Sequence, residues 1–222
     1  MKIKAEKIEN TQGIDLSFLP FAARNYHISP NIDDYVIFQT IICPSDLPNR
    51  NGIAFPLNEL ARFTETPNPH FVYKGWVGCP IFCEHINEDP TKALGVILDT
   101  SLVKCSAEYG NGKLYNVIGV IAIDKTKDPE MAERFASGGI DTVSMGALAS
   151  YFTCSICGAV IDDEHTCPHI QSKDVVNFNP IEDAEGNIHI AYLNAHCLEP
   201  IETSIVKDPA WAPALADTIL QK

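Results

Sequence analysis

Apolar and polar positions along this chain alternate over short stretches, which predicts many brief β-strands and few helices. Tyr35 to Cys43 (YVIFQTIIC) is rich in β-branched and aromatic residues and stops at Pro44, the pattern of a buried strand. The turn-rich stretch PSDLPNRNG follows, with Asn51-Gly52 as its strongest turn signal, and Pro56 opens a short helical pattern, LNELARF. Ala93 to Leu98 and Leu102 to Tyr109 read as strands that lead through Gly110-Asn111-Gly112 into LYNVIGVIAI, the form of a hairpin. The clearest helix is DPEMAERFASGG. Asp128 suits its N-cap, Pro129 its first position, Met131, Ala132 and Phe135 its apolar stripe, and Gly138 its stop. Ile140 to Leu148 reads as a further strand, which carries Ser144. A late hairpin turns at Glu185-Gly186-Asn187, and the segment from Trp211 is expected to end in a short helix. The sum is a β-rich α+β barrel or sandwich with peripheral helices.

Composition narrows the class of partners. The 222 residues are 45% hydrophobic, enough to bury one core, and no internal repeat or low-complexity block interrupts them. Against 16 basic residues stand 29 acidic ones, a formal charge of -13 that repels phosphate backbones and argues against nucleic acid as a partner. MKIKAEKIENTQG has no apolar core of the signal-peptide kind, and the apolar runs fall far short of the roughly 20 residues of a membrane span. No membrane partner is therefore expected, and the chain should stay in the cytoplasm where it is made. There its eight cysteines read as thiols or metal ligands rather than disulfides. Cys43, Cys79, Cys83, Cys105 and Cys197 lie in apolar or strand-like contexts and are expected to be buried as small hydrophobes.

Two constellations could carry chemistry. In CSICGAVIDDEHTCPH, Cys154 and Cys157 form a C-x2-C pair backed by Gly158, and Cys167 and His169 follow as C-x-H. Four such ligands suit a tetrahedral zinc ion, and a site closed by four protein atoms is structural rather than catalytic. His165 is a substitute ligand. The second constellation rests on context. Ser144 sits in TVSMGA, an apolar strand-like run, and nearby Gly146 would let backbone approach a substrate carbonyl. His85 sits in CPIFCEHINEDP, where an apolar run meets a polar turn. A serine nucleophile needs such a histidine as base, and a third group to orient the imidazole.

Four segments in order resemble the prohead (procapsid maturation) serine proteases of tailed bacteriophages, a family whose fold is similar to the herpesvirus maturation protease. They are DLPNRNGIAFPLNEL, GWVGCPIFCEHINEDPTKALGVILDTS, GGIDTVSMGALASYFTCSICG and IETSIVKDPAWAPAL, and together they cover most of residues 45 to 215. The resemblance implies a herpesvirus-protease-like β-barrel with peripheral helices, one domain over residues 1 to 222, with residues 151 to 172 as an inserted zinc knuckle. It places His85 as base and Ser144 as nucleophile. Glu202 falls where many relatives have an acidic third member. Asp141 is the alternative, disfavoured because residues i and i+3 of a strand face opposite ways.

The implied activity is a serine endopeptidase that cleaves scaffold or core proteins and capsid proteins inside the assembling prohead, in the host cytoplasm, with self-processing and self-association. Some relatives prefer glutamate before the scissile bond, which would need a basic pocket. Two other readings stay open: an inactive structural homologue within the capsid, and a zinc-knuckle interaction module. The acidic stretch IDDEH counts against the latter as a nucleic-acid reader.

Overall fold

The structure is a computed structural model that describes residues 6–7, 13–65, 69–106, 112–138, 142–171, 180–182 and 185–211. Its strands and α-helices, in chain order, begin with β1 (Glu6–Lys7), α1 (Leu19–Tyr26), β2 (Tyr35–Pro44), β3 (Ile53–Ala54) and α2 (Leu57–Leu60). Next come β4 (Phe63–Thr64), β5 (His70–Phe71), β6 (Pro80–Cys83), β7 (Gly95–Lys104) and β8 (Tyr115–Asp124). The remainder is α3 (Pro129–Ala136), β9 (Val143–Leu148), β10 (Tyr151–Cys154), β11 (Val160–Ile161), β12 (Pro180–Glu182), β13 (Ile188–Ile190), β14 (Leu193–His196) and β15 (Glu199–Ile205).

Seven strands form one sheet in the order β1-β2-β8-β7-β6-β15-β9, which curls into a half-barrel. The long β2, β7 and β8 supply its antiparallel centre. Where two separate strands were expected, β7 is continuous. A register shift between Ile97 and Asp99 breaks its alternation and explains the apparent gap. Phe38, Ile42, Ile97, Ile121 and Trp76 anchor the main core between sheet and helices. Phe135 of α3 stacks on Phe38 with ring centroids 4.5 Å apart. The Asp128 carboxylate accepts from the Met131 amide at 2.9 Å and caps α3 as expected. The unexpected α1 buries Leu19, Ala22 and Ala23 against Val96, Leu98 and Val120 on the other side of the sheet.

A second sheet, β11-β10-β14-β3, is built largely from chain between β9 and β15, and covers a small core of Ile161, Ile170, Ala191 and Leu193. The hairpin β12–β13 forms around the expected turn. The C-terminal helix expected beyond Trp211 lies outside the described residues. All eight cysteines are free thiols. Cys43 is buried as expected, whereas Cys79, Cys83 and Cys105 are half-buried and Cys197 is exposed. Cys197 takes a left-handed φ of 51°, at the corner that separates β14 from β15. That reversal turns its side chain outward instead of continuing the strand alternation.

Candidate functional site

Strand β15 lies between β6, to which it runs parallel, and β9, to which it runs antiparallel. This pairing brings the three segments bearing His85, Ser144 and Glu202 side by side. Ser144 is the cross-strand partner of Ser204, and Gly146 that of Glu202. Paired residues share a face of the sheet, as do residues two apart in a strand, so Ser144, Ser204 and Glu202 project from one side. Val143, Met145 and Ile205 project from the other, into the main core.

His85 follows the end of β6. Glu84 and His85 both adopt left-handed backbone, with φ of 50° and 57°. Such a conformation costs roughly 1–2 kcal/mol per non-glycine residue and persists only where surroundings enforce it. Here the Glu84 amide donates to the Ile205 carbonyl at 2.8 Å, and the Ile86 amide to the Cys83 carbonyl at 3.0 Å. The His85 amide donates to Ser204 Oγ at 3.2 Å, and Glu84 Oε1 accepts from the Lys207 amide at 3.0 Å. This corner turns the imidazole back over β15. Its Nδ1 lies 2.8 Å from Glu202 Oε1.

Glu202 is 1% exposed, and its other oxygen accepts a 2.6 Å bond from Ser204 Oγ. A Cβ at Gly146 would stand 2.3 Å from Glu202 Oε1, and the glycine therefore leaves room for the carboxylate. The bond to Glu202 holds the His85 imidazole above its ordinary pKa, and its partial burial opposes this only in part.

Ser144 is 9% exposed, and lines a small pocket with Leu47, Asn49, Phe55, Met145 and Trp211. Among the described residues, no hydrogen bond joins its hydroxyl to His85. His85 and Glu202 are thus bonded, and Ser144 stands on the adjoining strand. Asp141 lies outside the described residues. Ser204, fully buried, is the residue that sequence reasoning missed. Cys79 and Cys43 also lie near the site. Burial and the Glu202 charge push the Cys79 thiol up to about 12, and burial raises that of Cys43 as well, so neither is a ready nucleophile.

The second constellation also comes together. Cys154, Cys157, Cys167 and His169 place one ligand atom each within 4.8 Å of one another, and the cluster could hold a metal ion. His169 Nδ1 is 3.8 Å from Cys154 Sγ and 3.9 Å from Cys167 Sγ. Donors around a tetrahedral ion with bonds of about 2.0–2.3 Å sit about 3.6 Å apart, so the group needs little contraction to close on one. Gly158, at a φ of 70°, turns the chain so that its amide returns to the Cys154 carbonyl at 2.9 Å. The Ala159 amide and His169 draw the Cys157 thiol down to about 7, toward the thiolate a metal needs. His165 is not in this group; it is exposed and bonded to Asp162 at 2.9 Å.

No protein-family model matches the chain, and no curated protein or solved structure matches it either. Among the described residues, no helix is long and apolar enough to cross a membrane.

Proposed function

We propose that the chain is a serine endopeptidase in which Ser144 is the nucleophile, His85 the general base and Glu202 the carboxylate that orients it. The observation that carries this reading is the 2.8 Å contact between His85 Nδ1 and a fully buried Glu202, on the sheet face shared with Ser144. A carboxylate on Nδ1 keeps the proton there and leaves Nε2 free as the base. Nε2 would take the Ser144 proton as Oγ attacks the peptide carbonyl, with backbone amides stabilising the oxyanion. The same proton would pass to the leaving amine. A water, deprotonated by Nε2, would then hydrolyse the acyl-enzyme and return the serine. Catalytic hydrogen bonds often tighten only once substrate is bound, so the proposed Ser144–His85 bond would form in that complex.

The four segments that resemble the prohead proteases point to scaffold or core proteins and capsid proteins as substrates, with self-processing inside the assembling prohead. The small pocket beside Ser144 has no basic group among its described lining, so nothing in it would recognise a glutamate next to the scissile bond. The four-ligand cluster would hold a zinc ion in a structural role, since four protein ligands leave no open position for water.

Mass spectrometry of the purified chain beside Ser144→Ala tests the enzymatic reading. Self-cleavage, or cleavage of a co-expressed scaffold protein, is expected only in the wild type. The loss should be on the order of 10^4-fold, because the triad acts as a unit. Unchanged cleavage by Ser144→Ala would remove the nucleophile assignment.

A further inference from the structure

We propose that Ser204 is a positioning residue for the His85–Glu202 pair, holding both the carboxylate and the strained His85 backbone in the orientation that the base requires. The inference deepens the proteolytic reading and rests on it. Three hydrogen bonds and the His85 side chain form a closed ring. The His85 amide donates to Ser204 Oγ at 3.2 Å, and Ser204 Oγ donates to Glu202 Oε2 at 2.6 Å. Glu202 Oε1 meets His85 Nδ1 at 2.8 Å, and the imidazole returns through its own side chain to the amide. A hydroxyl is the one small group able to accept from an amide and donate to a carboxylate at once, and both its roles are filled.

The position explains why such a group is needed. Glu202 is held in the sheet but its carboxylate is free to rotate about its last torsion, which is broad for an sp³–sp² bond. Ser204 fixes that torsion from one oxygen while His85 uses the other. The same hydroxyl anchors the amide of a residue at φ 57°, where the chain would otherwise relax toward the right-handed region. Ser204 and Glu202 are two apart on β15, so the strand itself sets their spacing. Cross-strand pairing puts Ser144 opposite Ser204, so any shift of the hydroxyl is felt on the nucleophile's side of the sheet. Ser204 itself is fully buried and its proton is committed to Glu202, which removes it as a nucleophile.

The test compares Ser204→Ala, the space-filling Ser204→Cys, which is a weak donor, and Ser204→Thr, which keeps the hydroxyl. Two readouts are taken on folded protein: the imidazole Nδ1–H resonance of His85, and kcat and KM on a scaffold substrate. Ala and Cys should weaken or abolish the resonance and lower kcat by about ten- to a hundredfold with KM little changed, the scale of a misplaced catalytic group. Thr should restore both. If Ala does not fold, Cys and Thr alone decide the comparison. Wild-type kcat and resonance in Ser204→Cys would overturn the proposal. A Ser204-dependent resonance in a wild-type protein that cleaves nothing would overturn only the proteolytic reading, because the resonance is read without turnover.

Discussion

At the scale of single residues, the site is built as much by what is missing as by what is present. Gly146 leaves the space that the Glu202 carboxylate occupies, and that carboxylate is hydrogen-bonded at both oxygens, so an added methyl would displace it. Gly146→Ala should therefore displace Glu202 and lower kcat/KM by about a hundredfold, with circular dichroism unchanged; full activity in a folded variant would show that the carboxylate is not needed where it stands. The His85–Glu202 bond also sets a pH dependence. In its proposed role as base His85 must be neutral, and its pKa is raised, so kcat/KM should fall with acid at a midpoint above the ordinary imidazole value of about 6.5. Glu202→Gln should move that midpoint down as well as lower the plateau. Stability runs the other way. A raised folded-state pKa stabilises fully below the unfolded value and loses that contribution as pH rises through the folded one, so the pair helps the fold most where the base is inactive. Thermal melts of wild type and Glu202→Gln should accordingly converge as pH rises. The grouping of His85 and Glu202, with Ser144 on the adjoining strand, was expected from the resemblance of whole segments. Ser204 was not, because a buried serine in a strand looks like filler until its partner two residues away is known to turn toward a histidine.

Among the elements, those whose boundaries carry chemical punctuation were the legible ones. The α3 helix has Asp128 as its cap, a proline in its first turn, and Gly138 just beyond its end, and it forms where those residues place it. Asp128→Ala should cost about 1 kcal/mol of stability, read as a lower denaturation midpoint. Phe135→Ala should cost about 3–5 kcal/mol through the cavity it leaves against Phe38. In contrast, the N-cap position of α1 is Phe18, which offers no side-chain cap, so Pro20 in the first turn stood alone as a start signal in LSFLPFAARNY. Its helical form comes from burying Leu19, Ala22 and Ala23 on the sheet, a tertiary effect. The pairing that makes the site is also silent in the sequence. Strand β6 is four residues long, and its parallel partner β15 lies more than a hundred residues on. Nothing local specifies that such strands meet, or that β9 lies on the far side of β15.

Over the whole molecule, the candidate metal cluster and the candidate catalytic face are linked through the second sheet. Cys154 ends β10 and pairs with Leu193 of β14, and Leu193 in turn pairs with Ile53 of β3. The Leu193 amide also donates to the Gly52 carbonyl at 2.8 Å, next to the turn that sends Asn49 into the pocket beside Ser144. At its other end β14 runs through Cys197 and Leu198 into β15, the strand of Glu202. The core under this sheet has only a handful of apolar side chains, Cys154 among them, and a core that small needs a staple to hold it. Thiolate ligation couples metal binding to folding, so removal of the proposed zinc ion from Cys154, Cys157, Cys167 and His169 should loosen β10 and β14 first, then the turn and strand they support. Elemental analysis of protein purified without chelator should find one zinc per chain, and none would sink the site. A chelator should lower the melting temperature and the activity together, at the slow rate of local unfolding, and Cys157→Ser should lower both without added chelator. Activity that vanished on chelation while the melting temperature held would mean that the metal takes part in the chemistry, and the serine mechanism would then lose its support.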